Sequence, residues 1–584
     1  MFTRVALPVL LLMIAPLAQA EEALRITQLQ RCGDLLADSP EYCLRANGLA
    51  EGELRVHLGD KTLDAARVRR DGPTLRLSLQ QGPGVPVWLE QGERRSNPVW
   101  LSRGRSQVVA AGPDEVAKNM DGLTTYLDLV GLLIEEKHDG REEAERLAAK
   151  YGAKVVGAIA PLNVFQLRLP AKDLVQRDAL LLRLGSEASV DAVIVEESAP
   201  EKGEEGERQE VPSGPSEPSD DEWAANRFAD AVNYYRRRVP AKQAPIPTTP
   251  VRIGVIERNV DFDAPDFADY LGNCRPQRRT CLYARDADKP DNHGSTVAGI
   301  LAAHHQRGGN SGFLQALDDA GPGFEVIVER NSDAGIIANV AASVNLVEDG
   351  ARVLNWSWGI HRVGAKNVEG DEVDSLIRSG LAMSGYEELL EEFFLWLRRE
   401  HPDVVVINSA GNGAAFSGTD EYRLPSSFIT DQLLVVGGHQ RSQKSGVGVD
   451  DPEYVIKRSS SNIDMRVDIT ASACAHASTL GEGERGEAHC GTSYATPMVT
   501  GVVAAMLSIN PELQPDQLRM LLRRSAMTIG GDYDFEPMDA EDLTAPILPS
   551  ERNYELDDKD VGRSARLDMQ KALDLAVQSR DRVR

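Results

Sequence analysis

Residues 489–507 read HCGTSYATPMVTGVVAAML, a short polar turn that enters a long run of small and apolar residues through Pro497. The run predicts an apolar helix rich in small residues, with Gly491 and Thr492 leading in and Ser493 at its start. A serine there is ordinarily an N-cap, which satisfies a free backbone N–H and does no chemistry. Two other segments give this serine company. DNHGSTVAGI (291–300) sets His293 ahead of a second small-residue helix, and VINSAGNG (406–413) sets Asn412 in a glycine-flanked loop after a buried strand. A serine hydroxyl is a poor nucleophile at neutral pH until an imidazole takes its proton, and the developing oxyanion needs a donor already in place. His293 and Asn412 supply both. An acid should hold the imidazole tautomer, and VIERNVDFDAPDF (255–267) offers Glu257 and, four residues on, Asp261.

These segments sit in a repeating context. From Pro250 onward, apolar strands such as VRIGVIE (251–257), FEVIVER (324–330), ARVLNWSWG (351–359) and QLLVVGG (432–438) alternate with helical stretches. That alternation predicts an α/β domain with a mostly parallel, buried sheet, whose functional residues gather at the carboxyl ends of its strands.

In the order acid, histidine, asparagine, serine, the segments VIERNVDFDAPDF, HGSTVAGI, ARVLNWSWG, VINSAGNG and GTSYATPMVTG resemble the subtilisin-like serine protease (subtilase) family, over about Pro250 to Leu573. GTSYATPMV is the most specific of them. The resemblance implies a subtilisin-like α/β catalytic domain with Ser493 as nucleophile, His293 as general base and then acid, and Asn412 as oxyanion donor. It also implies that Ser357, Trp358 and Gly359 pair with the substrate backbone, and that Ser409, Ala410 and Gly411 line the far wall of the primary specificity pocket. The departures are informative. Aligned on the family pattern, Glu257 stands where Asp is usual, Asn259 takes the place of a Gly, and Ile360 replaces a second Gly. Glu keeps the carboxylate but adds a methylene, roughly 1.5 Å of reach, which backbone or rotamer must absorb. Asp261 matches a different family position and ranks second as the acid.

Ahead of this domain the chain reads as four further parts. Residues 1–20 carry one positive charge, an apolar run and Ala18-Gln19-Ala20, the pattern of a secretory signal peptide; the run is too short for a membrane span. Residues 21–112 hold short strand-like runs (GELRVHLGD, TLRLSLQ, VPVWLEQG, NPVWLSRG) broken by turn residues, predicting a small all-β domain. Residues 113–197 follow a β-α-β-β-α-β order, a ferredoxin-like pattern. Residues 198–222, SAPEKGEEGERQEVPSGPSEPSDDE, form an acidic linker with almost nothing to bury, leaving 223–584 as the catalytic domain. Placed directly before a subtilase-like domain, the 113–197 segment is similar to the family's inhibitory propeptide, which would occupy the cleft in cis.

Six cysteines fall into sequence-local pairs, Cys32 with Cys43, Cys274 with Cys281 and Cys474 with Cys490, as expected of disulfides in an exported protein, periplasmic or extracellular. With 64 Lys and Arg against 90 Asp and Glu, the formal net charge is -26, which disfavours a nucleic-acid partner; no membrane partner is expected either. Many subtilases bind Ca²⁺, but no stretch has an EF-hand spacing, so no cofactor is expected to be required and structural Ca²⁺ is unsupported. The sequence-level expectation is an exported serine endopeptidase made as a zymogen, acting on protein or peptide substrates. The alternative is a catalytically weak or inactive subtilase fold used as a binding module, suggested by Glu257, Arg258 and a cleft made bulky by Ile360, Trp356 and Trp358.

Overall fold

The computed structural model describes residues 23–33, 37, 40–80, 82–119, 122–198, 223–238, 250–257, 260–262, 264–271, 274, 279–284, 292–304, 312–318, 323–330, 335–361, 380–412, 423–442, 444–458, 461–462, 467–476, 488–529 and 565–582. The signal-peptide segment, nearly all of the acidic linker, Arg258 and Asn259 lie outside them.

Strands rich in Val, Ile and Leu build one large sheet. Its parallel heart runs in the order Leu433–Arg441, Val405–Ser409, Val353–Trp356, Val251–Glu257, Phe324–Arg330 and Cys281–Ala284. Both faces of this heart are covered, which explains why the strands read as continuous apolar runs rather than as alternations. The helix Thr492–Ile509 packs on one face with Ile253, Val405 and Leu434 in its core, and the helices Gly335–Glu348 and Gly380–Glu400 cover the other. Among the described residues Thr492–Ile509 is long and apolar enough to cross a membrane, but 94% of it is buried inside the protein, where it serves as the core helix.

The N-terminal β region is not a freestanding pair of sheets. Strands Arg25–Cys32, Glu41–Asn47, Thr74–Ser78 and Val68–Asp71 form one sheet, and Arg55–Leu58, Val85–Gln91 and Val99–Leu101 face it across a shared core that includes Ile26, Leu44, Leu75, Val87 and Leu89. The second of these sheets continues into the large one, because Val99–Leu101 lies parallel to Cys281–Ala284. An open sheet edge exposes unpaired N–H and C=O groups, and here the N-terminal region covers one. Asp349 fastens the junction. Its buried carboxylate accepts from Gly84 N–H at 2.7 Å, from Trp100 Nε1–H at 3.0 Å and from Ser102 Oγ–H. Burial raises the pKa of this carboxyl, and the three donors oppose the rise.

Residues 129–194 form a four-stranded antiparallel sheet in the order Lys154–Ile159, Val164–Arg168, Leu129–Ile134, Val190–Ile194, with the helices Gly140–Tyr151 and Leu174–Leu184. Each helix is preceded by an aspartate, Asp139 or Asp173, whose carboxylate accepts the backbone N–H of the third helical residue, Glu142 or Gln176. This unit rests on the helix Gly380–Glu400. Glu196 reaches further, accepting from Ile336 N–H at 3.1 Å and Ile337 N–H at 2.9 Å at the start of Gly335–Glu348. Three disulfides, Cys32–Cys43, Cys274–Cys281 and Cys474–Cys490, close the fold.

Candidate active site

The site lies at the carboxyl ends of the parallel strands. Glu257 is the last residue of Val251–Glu257, 3% exposed, and its Oε1 is 2.8 Å from Nδ1 of His293, the second residue of the helix Asn292–Ala302. An acceptor at Nδ1 holds the ring proton there and leaves Nε2 with its lone pair. The ring of His293 lies 5.3 Å from that of Tyr494, which brings the imidazole to the helix end that carries Ser493. Asp261 is also buried; its backbone N–H donates to Ser295 Oγ at 2.9 Å.

Ser493 is half-buried. Its Oγ donates to Ser357 O at 3.2 Å, and Ser357 Oγ returns a bond to Ser493 O at 2.9 Å. The serine hydroxyl therefore bonds Ser357 rather than the imidazole in this structure; hydrogen bonds of this kind commonly tighten only when substrate is present. Asn412 stands on the other side. Its Oδ1 accepts from Thr492 N–H at 2.8 Å and Thr492 Oγ1–H at 3.1 Å, which fixes the amide orientation and turns Nδ2 toward Gly491. A Cβ at position 491 would lie 3.1 Å from that nitrogen, so the glycine permits the approach. Just before it, Cys474 and Cys490 are cross-strand partners as well as disulfide partners, and Gly491 N–H donates to Ala473 O at 2.8 Å.

The residues expected to line the cleft fall into two neighbouring segments. Ser357, Trp358 and Gly359 follow the strand Val353–Trp356, and Ser409, Ala410 and Gly411 end or follow the adjacent strand Val405–Ser409. Asn408 ties them together, its Nδ2 donating to Trp356 O at 2.8 Å and Trp358 O at 2.9 Å. Trp356 is fully buried, packs against Phe393 and Phe394, and meets Trp358 in a tilted ring contact at 4.9 Å, so its bulk belongs to the core beneath the cleft.

Two contributors are not singled out by the sequence pattern. Thr492 bridges the serine turn to the Asn412 loop, accepting from Gly411 N–H at 3.1 Å; its place beside Ser493 in the motif was the available signal. Arg423 is buried between the two cleft segments, and nothing in its neighbourhood, EYRLPSSF, marks it as part of a site.

Residues 248–564 match the Peptidase_S8 model, described as the subtilase family, and this match spans more than half of the chain. The chain belongs to the subtilase family. Among its relatives, fervidolysin of Fervidobacterium pennivorans is 26% identical over 303 residues, covering 49% of this chain and 38% of the relative. A calcium-dependent protease of Trichormus variabilis is 24% identical over 312 residues, covering 49% of this chain and 43% of the relative. This subtilase thus spans less than half the length of either. The crystal structure of fervidolysin aligns with a TM-score of 0.48 at 16% identity, covering 80% of this chain and 64% of that one. Among the described residues no group of three or more His, Cys, Asp or Glu is placed to hold a metal ion.

Proposed function

We propose that this subtilase is an exported serine endopeptidase made as a zymogen. Ser493 attacks the scissile carbonyl while His293 takes its proton at Nε2 and later gives it to the leaving amine. Glu257 accepts from Nδ1–H and stabilises the imidazolium. Asn412 Nδ2–H donates to the oxyanion. The observation that carries the reading is the 2.8 Å contact of a buried carboxylate with His293 Nδ1, at the end of the helix that bears Ser493. An acid held out of water beside Nδ1 orients the ring and compensates its charge in the transition state.

Export is supported by the signal-like residues 1–20 and by the three disulfides, which persist in oxidising compartments. The zymogen reading rests on the 113–197 unit, taken as a ferredoxin-like inhibitory propeptide. Its contacts with the catalytic domain support that role: Glu196 caps one helix, and Glu197 N–H donates to Tyr386 Oη at 2.7 Å. The maturation cut belongs in the acidic linker. The substrates are proteins or peptides, and none of these steps uses a metal ion.

The test is a fluorophosphonate probe followed by peptide mapping. Labelling at Ser493, with loss of labelling and of peptide hydrolysis in Ser493→Ala, is the expected result. A folded protein that neither labels nor hydrolyses any peptide would instead be a binding module.

A further inference from the structure

The crevice beside Ser493 contains a buried cation. Its two walls leave adjacent parallel strands, Ser357–Gly359 on one side and Ser409–Gly411 on the other, and both touch the nucleophile's turn: Ser357 O accepts from Ser493 Oγ, and Gly411 N–H donates to Thr492 Oγ1. By the resemblance to the family, a peptide whose carbonyl lies at Ser493 sends the side chain on its acyl side between these walls. The strand Arg423–Leu424 pairs antiparallel with Ile360–His361, directly after Gly359, and carries the Arg423 side chain into that space. A Cβ at Gly359 would fall 2.1 Å from the guanidinium carbon, and one at Gly411 would fall 2.8 Å from Arg423 Cδ. Gly411 has φ +107°, which independently favours glycine. The guanidinium thus spans the crevice from wall to wall, and neither neighbouring glycine can cover it with a side chain.

What holds Arg423 is neutral. Nη1 donates to Ser409 O and to Ser426 Oγ at 3.3 Å, and Nη2 donates to Ser409 Oγ at 3.1 Å. These bonds leave donors on Nε and Nη2 without a partner, and no carboxylate reaches the guanidinium among the described residues. The side chain is 8% exposed, and burial alone pushes its pKa down to about 10. A buried guanidinium without a counter-charge is costly to the fold, whereas a carboxylate entering the crevice gains a charge-assisted, fork-like pair in a site from which water is largely excluded. We infer that Arg423 makes this subtilase selective for an acidic residue, Asp or Glu, on the acyl side of the scissile bond. The inference rests on the proposed peptidase activity and names its substrate class.

The experiment measures kcat/KM on peptides identical except at that residue, carrying Asp, Glu, Asn, Gln, Ala, Phe or Lys, with the active fraction counted by fluorophosphonate titration. The better acid should exceed its own amide isostere by at least about tenfold, because the amide leaves the guanidinium uncompensated. Arg423→Gln should bring that ratio to near one, and Arg423→Lys, which keeps a cation on a different geometry, should retain part of it. Titration of Ser493 in each variant separates lost specificity from lost folding. If Arg423→Gln does not fold, the wild-type and Arg423→Lys ratios decide. A wild-type acid-to-amide ratio near one, a preference for Ala or Phe, or an acid preference that survives in folded Arg423→Gln each overturns the inference while leaving the peptidase assignment standing. A wild-type protein that neither labels nor cleaves removes both.

Discussion

Replacing Glu257 by Gln tests the acid at its most exposed point of logic. The carboxylate is 3% exposed and 2.8 Å from His293 Nδ1, so water has little room to substitute for it. The amide has two ways to face the ring. Turned with Nε2–H toward Nδ1, it drives the ring proton to Nε2 and removes the base; turned with Oε1 toward Nδ1–H, it keeps the tautomer but brings no charge to stabilise the imidazolium. In a serine protease of another fold the corresponding change lowers kcat about 10⁴-fold, which is about 5.5 kcal/mol of barrier. A loss of 10³- to 10⁴-fold in kcat, roughly, is expected here, with KM little changed because the ring is not a binding surface. Glu257→Asp shortens the reach by about 1.5 Å, stretching the contact to about 4.3 Å, beyond hydrogen-bond range. The negative charge remains, so this variant should fall between wild type and Gln. The assay is steady-state hydrolysis of a chromogenic peptide, with active sites counted by titration. Wild-type kcat in Glu257→Gln, paired with an inactive Asp261→Asn, would refute the reasoning and transfer the role to the second acid.

Three other perturbations follow from the geometry. His439 is fully buried, with Nδ1 3.0 Å from Thr470 Oγ1, and burial pushes its pKa down to about 3. The unfolded chain binds this proton first as pH falls below about 6.5, so the stability that the neutral ring contributes is present above that pH and is lost toward pH 3, at about 1.4 kcal/mol per pH unit. His439→Gln should flatten the acid limb of a denaturation-versus-pH profile by about one proton. The Cys474–Cys490 bridge closes a separation of 16 residues directly ahead of the serine turn, so its double Ser variant should lose about 3 kcal/mol by chemical denaturation and label more slowly with fluorophosphonate. Glu196→Ala strips the acceptor from two N–H groups at the start of Gly335–Glu348 and should cost about 1–3 kcal/mol in the full chain, with Glu196→Gln costing less; equal midpoints in urea for all three proteins would contradict this.

How far the residues announce this arrangement depends on how local each feature is. Ser493, His293 and Asn412 each stand where a buried apolar run meets a glycine-marked turn, so chemistry and local structure coincide in a short window. At the strand end both Glu257 and Asp261 offer a carboxylate, and it is the alignment on the family pattern that ranks Glu257 first. Thr492 and Arg423 are different, since what places them at the site is contact between distant segments, and nothing within a few residues of Arg423 records that Gly359 and Gly411 flank it. The same holds for NPVWLSRG. Its pattern says strand, but the choice of Cys281–Ala284 as neighbour is made by the edge that strand covers and by Asp349, some 250 residues later, which accepts from Trp100. Propensity identifies elements, whereas pairing between distant ones is decided by tertiary packing.

The continuity of the N-terminal strands with the large sheet alters what cleavage of the linker would accomplish. A chain severed between Ser198 and Trp223 becomes two polypeptides held by a shared sheet edge, the Asp349 bonds and the Glu196 cap. Severing is then not release. The forward fragment leaves only when the edge opens, so under the proposed zymogen reading activity would appear by a first-order dissociation after the cut, with a rate independent of protein concentration and an extent raised by dilution or by digestion of the freed fragment, both of which prevent rebinding. The lag between peptide-bond cleavage and activity, unchanged across protein concentrations, becomes a property of the sheet edge itself.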